Sequence, residues 1–402
     1  MNNTAAVILA GGRGKRMDVL CQVRPKPVLP FAGRFKVIDF SLSNCIYSQL
    51  NDISVMTDYQ RSHMAEYLSR WRQMNAGSIN FRILEPGTGS YSGTADAVYQ
   101  NLDHFDNTRV DTLLVLAGDH IYKLDYRRML AYHREVNADV TVGIIPVPVA
   151  QAHRFGTVTV DANGRILDFL EKSPVPQSNL ASMGIYVFNR RLLAEHLIED
   201  AANPVSQHDF GYSILPDMVK RDRVFAYKFD GYWRDIGTVE AYYEANLELT
   251  GEQPCFSLNG TSPVLTIEPG LPPARIGRQA SVKNSLVSPQ CVVRGTIENS
   301  ILSPGVWVDE QAVIRNSIIM EDTFIGRYAV IDHCVLDERV SIGEHCNIGF
   351  GRGLAGDAQG ITVVGKGVTV PPYMTIERNC KVLPHVRLSD SAINNEVSPV
   401  AL

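Results

Sequence analysis

The sequence predicts an α/β protein: a Rossmann-like, doubly wound and mostly parallel sheet, followed by a parallel β-helix. Three observations carry that expectation. Over the first 250 or so residues, short apolar runs alternate with helical stretches, the order of parallel strands joined by crossover helices. From about residue 270 the helical spacing stops, and short β-rich runs recur between Gly, Pro, Asn and Ser turns. In this second half Ile297, Ile314, Ile331 and Ile348 lie 17 residues apart, as do Ile301, Ile318 and Val335, and Val308, Ile325 and Ile342.

In chain order, the apolar runs 5–10, 53–57, 112–117, 140–147 and 185–188 are the expected strands. Between them, 64–71, 126–136 and 191–198 carry apolar residues at three- and four-residue spacing, as amphipathic helices do. Pro272-Pro273 and the Gly/Pro-rich stretch before them mark a linker, so the expected division is 1–250, a linker over 251–273, and a β-helix over 274–402. An irregular antiparallel barrel would not keep one fixed period through four units, which favours stacked coils with three short sides. His333, Cys334, His345 and Cys346 fall on repeat positions where neighbouring coils carry Asn316, Ser317 or Glu344. They are expected to fill the repeat rather than to bind a metal.

Composition narrows the function. With 402 residues, 45% of them hydrophobic and 20% charged, the chain is expected to fold into two or three domains. A net charge of −5 gives no global positive field for nucleic acid or anionic lipid. No membrane span is present in the sequence, and Met1-Asn2-Asn3-Thr4 lacks the order of a secretory signal, so a cytoplasmic protein is expected. The seven cysteines are scattered, without a Cys-x-x-Cys pair, and are expected to be reduced.

The first strand runs into Gly11-Gly12-Arg13-Gly14-Lys15-Arg16, where glycines let backbone N–H groups approach a phosphate and three cations add charge. The spacing is neither that of a Walker A loop nor that of a dinucleotide fingerprint. In Arg24-Pro25-Lys26-Pro27 the prolines restrict where the Lys26 ammonium can sit, which suits a phosphate that gains charge during a reaction. Asp119 follows an apolar strand at its carboxyl end, where open α/β sheets place ligands; Asp235 lies in a turn before a helix. Each is a candidate Mg²⁺ ligand or, alternatively, a helix cap.

Together these motifs resemble a family. Gly11 to Arg16, Pro25-Lys26-Pro27, Gly93-Thr94-Ala95-Asp96-Ala97, Gly118-Asp119-His120-Ile121-Tyr122, Phe169-Leu170-Glu171-Lys172, Ser182-Met183-Gly184, His208-Asp209-Phe210-Gly211 and Trp233-Arg234-Asp235-Ile236-Gly237-Thr238 look like the glucose-1-phosphate adenylyltransferases of glycogen and starch synthesis. The resemblance spans nearly the whole chain and implies that the β-helix is left-handed. It implies ATP and α-D-glucose 1-phosphate as substrates, ADP-glucose and pyrophosphate as products, Mg²⁺ as cofactor, and a homotetramer that binds neither nucleic acid nor membrane.

By the same resemblance Arg16, Lys26 and Asp119 are catalytic, and Asp119 with Asp235 holds the metal. Leu9, Gly11, Gly12, Gly14, Gly93 and Thr94 meet the nucleotide. Tyr91, Gly156, Glu171, Lys172, Ser182 and Asp209 line the glucose 1-phosphate side, and Arg24 with Lys36 is a possible effector site. The chain departs from the family pattern at Val23, Asp58, Ser90 and Ser92. The other readings are a related pyrophosphorylase using another nucleotide or hexose phosphate, a non-catalytic regulatory subunit, and a β-helix acyltransferase.

Overall fold

A computed structural model of the chain describes residues 3–74, 79–105, 110–260, 262–267, 270–351, 360–388 and 397–399. The termini and parts of the expected linker and of the expected β-helix domain lie outside the described residues. The chain forms two compact units that are not collinear with the sequence: Met1–Gly12 with Phe40–Trp233, and Arg13–Asp39 with Arg234–Leu402.

The first unit is built on a nine-stranded sheet. Its central strand Thr112–Ala117 pairs in parallel with Thr4–Leu9, which pairs in parallel with Asp52–Met56 and that in turn with Asn80–Leu84. Leu113, Leu114, Val115 and Leu116 are all fully buried, as expected of a parallel strand covered on both faces. Each such side chain contributes about 1.5–3 kcal/mol by leaving water.

On the other side the sheet turns antiparallel. The long strand Leu180–Asn189 runs against Thr112–Ala117 and Val140–Pro146, and the hairpin Gly156–Val160 and Ile166–Glu171 extends the edge. Val224–Lys228 pairs in parallel with Val140–Pro146. The helices Arg61–Met74, Tyr126–Glu135 and Arg190–Ala201 cover the expected helical stretches and bury one stripe each, Met64, Leu68 and Trp71 in the first. The strands Ile166–Glu171 and Val224–Lys228 carry no clean two-residue alternation, and Asn80–Leu84 and Gly156–Val160 alternate over only four residues, too short a run to stand out in the sequence.

The second unit contains the parallel β-helix. Three sheets of parallel strands stack coil on coil, one of them closed by the antiparallel strand Val397–Pro399. The 17-residue series become ladders: Ile297 pairs with Ile314, Ile331 and Ile348 in succession, Ile301 with Ile318 and Val335, and Val308 with Ile325 and Ile342. The Ile297 and Val308 series fill the core of the coil stack, whereas the Ile301 series faces the other side of its sheet, with Leu302, Ile319 and Leu336 pointing inward beside it; all of these side chains are at most 2% exposed.

The corners explain the polar repeat positions. Asn284, Asn299, Asn316 and His333 all adopt left-handed φ between 45° and 52°, a region Asn tolerates better than most residues. The following small residues Ser300, Ser317 and Cys334 are fully buried, and each hydroxyl accepts the N–H one coil on, Ser300 from Ser317 and Ser317 from Cys334, at 3.1 Å. His345 is stacked between Tyr328 and Tyr373 with ring centroids 4.8 and 5.0 Å away. Among the described residues, none of His333, Cys334, His345 and Cys346 joins a group of three ligands able to hold a metal.

Segment 13–39 belongs to this unit because its side chains are satisfied there. Arg24 and Lys36 form ion pairs with Asp337, Glu338 and Glu321. The Tyr242 and Tyr243 hydroxyls donate to the carbonyls of Pro30 and Asn316, each at 2.5 Å.

Candidate active site

In the sheet unit the first strand ends at Leu9, whose carbonyl accepts the Gly118 N–H at 2.9 Å, so the loops after two adjacent parallel strands are tied together. A Cβ on Gly118 would lie 2.9 Å from that oxygen, so only glycine fits the crossing. Gly11 packs on Asp58, where an added Cβ would meet the aspartate Cβ at 3.0 Å, and the Gly11 carbonyl accepts the Tyr59 N–H at 3.4 Å. Gly12 faces open space. The Asp58 carboxylate accepts the Tyr91 N–H at 3.3 Å, so this one residue packs on the glycine loop through its Cβ and backbone and holds the loop that precedes Gly93 through its side chain. The Tyr91 hydroxyl accepts Asn101 Nδ2 at 3.0 Å, and burial pushes its pKa above the usual tyrosine value.

Asp119 sits in the turn between the strands Thr112–Ala117 and His120–Tyr122, and no helix starts there. The cap reading therefore fails for it; the next helix, Tyr126–Glu135, is capped by Asp125. His120 Nε2 lies 3.6 Å from Asp119 Oδ1, while His120 Nδ1 is 3.0 Å from the Met183 carbonyl and the ring meets Trp233 edge-on. His120 thus links Asp119 to the strand that carries Ser182. Gly184, at φ 64°, permits the close passage, since a Cβ there would lie 3.2 Å from the His120 ring. The Ser182 hydroxyl donates to the Tyr186 hydroxyl at 3.3 Å.

The expected sugar-phosphate residues converge. Lys172 Nζ donates to Glu171 Oε1 at 2.7 Å and lies over the Tyr212 ring. Burial opposes its charge, but the hydrogen bond and charge of Glu171 outweigh burial and raise the Lys172 pKa. Two glycines press on Glu171: a Cβ on Gly156 would lie 2.4 Å, and one on Gly211 2.5 Å, from Oε2. Asp209 Oδ1 accepts the Gly211 and Tyr212 N–H groups at 2.8 and 3.2 Å. Its Oδ2 accepts the Thr94 hydroxyl at 2.8 Å, and Thr94 Oγ1 accepts the Phe210 N–H at 3.0 Å.

In the β-helix unit, Gly14 at φ 58° starts the 3₁₀ segment Lys15–Cys21; an added Cβ would lie 3.1 Å from Cys21 Sγ. Arg16 and Asp235 flank Gly237, where a Cβ would lie 3.1 Å both from Arg16 Nη2 and from Asp235 Oδ2. Lys26 is 5% exposed, and its Nζ lies 3.5 Å from Asp235 Oδ1. Asp235 is not a cap either: Thr238 Oγ1 accepts the Ala241 N–H and caps Val239–Leu247. Lys26 and Arg16 are thus gathered about the Asp235–Gly237 turn, two cations beside one carboxylate. Asp18, at φ 47° and ψ −122°, is held by an ion pair with Lys381.

Residues 5–252 match the nucleotidyl transferase family model, and residues 272–371 match the GlmU-like C-terminal hexapeptide model. The chain is 40% identical to the glucose-1-phosphate adenylyltransferase of Acetivibrio thermocellus, covering 95% of this chain and 93% of the relative. It is 42% identical to that of Thermotoga neapolitana, with 97% and 96% covered, and 43% identical to that of Geobacillus stearothermophilus, with 77% and 82% covered. The chain belongs to the glucose-1-phosphate adenylyltransferase family. It is a nucleotidyltransferase. In the sequence Asp58 stands out only as a departure from the family pattern, and His120 only as a member of the Gly118–Tyr122 motif with no role of its own. Their roles arise from contacts across the sheet, with no local pattern to announce them.

Proposed function

We propose that the chain joins ATP to α-D-glucose 1-phosphate, giving ADP-glucose and pyrophosphate, and thereby supplies the glucosyl donor for glycogen or a similar α-glucan. The Lys172–Glu171 pair beside Asp209 is the observation that carries this reading. A lysine kept charged on a wall of carboxylates suits a sugar phosphate, whose phosphate needs a cation and whose hydroxyls need acceptors.

In the reaction a phosphate oxygen of glucose 1-phosphate attacks the α-phosphorus of ATP. One P–O bond forms, the bond to the β-phosphate oxygen breaks, and pyrophosphate leaves with the electron pair. No covalent enzyme intermediate is required, so the work is positioning and charge stabilisation. Arg16 and Lys26 take the charge of the triphosphate, and Lys172 holds the sugar phosphate. Leu9, Gly11, Gly12 and Gly14 offer backbone to the phosphates, and Gly93 and Thr94 bound the base. Tyr91, Gly156, Glu171, Ser182 and Asp209 bound the glucose.

Asp119 and Asp235 each offer the hard carboxylate oxygens that Mg²⁺ prefers. When bound, Mg²⁺ neutralises phosphate charge and stabilises the leaving pyrophosphate. The reading also takes the enzyme as a cytoplasmic homotetramer. The scattered placement of the seven cysteines, with no Cys-x-x-Cys pair in the sequence, suits a reducing compartment, and light scattering on the purified protein tests the assembly.

A pyrophosphate-release assay over an array of nucleoside triphosphates and sugar 1-phosphates tests the proposal. Release with ATP and glucose 1-phosphate at least tenfold faster than with any other pair supports it. Release only with another pair, or from none, overturns it, the latter in favour of a regulatory subunit.

A further inference from the structure

His208 occupies a costly backbone conformation, with φ 50°, in the residue just before Asp209. Its own polar groups hold it there. The His208 N–H donates to Ser206 Oγ at 3.0 Å, and His208 Nδ1 lies 2.8 Å from Asp200 Oδ2. Asp200 Oδ1 accepts the Ser206 hydroxyl at 2.5 Å, so one aspartate of the helix Arg190–Ala201 anchors both ends of the turn.

The strain has a geometric return. It directs the His208 carbonyl at the start of the helix Thr94–Tyr99, where it accepts the N–H groups of Ala95 and Asp96 at 2.9 and 3.2 Å. A Cβ on Gly93 would lie 2.2 Å from that same oxygen, so the Gly93–Thr94 backbone is pressed directly on the turn. On its other side the turn delivers Asp209, which is bonded to Thr94, Gly211 and Tyr212. The segment assigned to the nucleotide and the segment assigned to the sugar phosphate therefore share one support.

We propose that His208, clamped by Asp200, is a positioning residue that sets the nucleotide wall and the sugar-phosphate wall together. The inference rests on the assignment of those two walls under the proposed function. Neither residue touches substrate; both act through the His208 carbonyl and Asp209.

The test compares His208→Gly, His208→Gln and Asp200→Asn in the full chain. Glycine relieves the backbone strain while deleting the clamp, whereas glutamine keeps an amide within reach of Asp200. Expected for His208→Gly is a melting temperature within a few degrees of the parent, with KM for both substrates raised at least fivefold, kcat changed less, and partial rescue in His208→Gln. Asp200→Asn, which keeps side-chain size, provides the same readout if His208→Gly does not fold. The substrates are whichever pair the pyrophosphate-release array identifies, so failure of ATP and glucose 1-phosphate overturns the functional reading alone. Amide exchange of peptides 93–97 and 207–214 is measured in parallel and needs no activity; both should exchange at least tenfold faster in His208→Gly. A rise in only one KM, faster exchange in only one peptide, or parental behaviour in both overturns the proposal.

Discussion

Arg24 and Asp337 form an ion pair across 313 residues of sequence, with neither side chain more than 5% exposed. Arg24 Nη2 lies 2.8 Å from Asp337 Oδ1, and Nη1 donates to Oδ2 at 3.1 Å. Losing one partner of a buried pair strands the other charge at a cost of roughly 3–5 kcal/mol, whereas replacing both by apolar groups is often near neutral. Arg24→Met is therefore expected to lower the calorimetric unfolding temperature of the β-helix unit markedly, and Arg24→Met with Asp337→Leu to recover most of the loss. Equal destabilisation in both proteins would contradict this account.

The same cluster bears on effectors. Glu338 lies 3.2 Å from Arg24 and 2.8 Å from Lys366, and Lys36 lies 2.9 Å from Glu321. Burial opposes the charge of Glu338, yet Arg24, Lys36 and Lys366 outweigh it and hold its pKa at about 2. An anionic effector at Arg24 and Lys36 has to displace carboxylates already in place. Added sugar phosphates other than the substrate should change the rate less than twofold, and Glu338→Gln should increase the response. Strong activation of the parent protein would show that the carboxylates yield.

Gly156 offers a sharp test of the sugar wall. An alanine there would press on Glu171 Oε2 and on the Phe169 ring, 2.7 Å from its nearest atom, so Glu171 must move away from Lys172. Gly156→Ala should raise KM for glucose 1-phosphate at least tenfold and leave KM for ATP within twofold. Steady-state kinetics with each substrate varied decides it.

Asp119→Asn keeps the shape of the turn and removes the charge. Turnover should fall at least 100-fold while KM for ATP stays within threefold, because the lost interaction acts chiefly in the transition state. A purified Asp119→Asn protein with near-parental turnover would remove Asp119 from the reaction.

His133 is buried, its Nδ1 2.8 Å from the Thr141 hydroxyl, and burial followed by the charge of Arg134 lowers its pKa from 6.5 to about 4. The folded state thus resists protonation that the unfolded chain accepts. Stability from the neutral ring is present above pH 6.5 and lost as pH falls towards 4, by about 2 kcal/mol at pH 5. His133→Gln should flatten that part of the pH dependence in urea unfolding of the sheet unit. An unchanged slope between pH 7 and 5 would assign the loss to other groups.

Much of the fold was legible because its physics is periodic. Ile297, Ile314, Ile331 and Ile348 repeat at the coil length, since each must fill the same place in the core. The run Leu113 to Leu116 announces a strand buried on both faces. The converging Glu171, Lys172 and Asp209 were legible only through resemblance, because no local spacing encodes their meeting. Asp58 supporting Tyr91, His208 supporting Thr94–Tyr99, and Asp337 holding Arg24 had no signal at all: each joins segments whose proximity is decided by the completed sheet or coil stack.

The membership of segment 13–39 in the β-helix unit has a consequence for biosynthesis. Asp18 finds Lys381 only after 363 further residues have been translated, which at about 5–20 residues per second is a delay of roughly 20–70 s. Until then the stretch that also bears Arg16 and Lys26 lacks this one tie, although Asp235 is already there for Lys26 and Asp337 for Arg24. A chain terminated before the last coils would lose the Asp18 anchor alone, so the tail of the message completes the seat of its head.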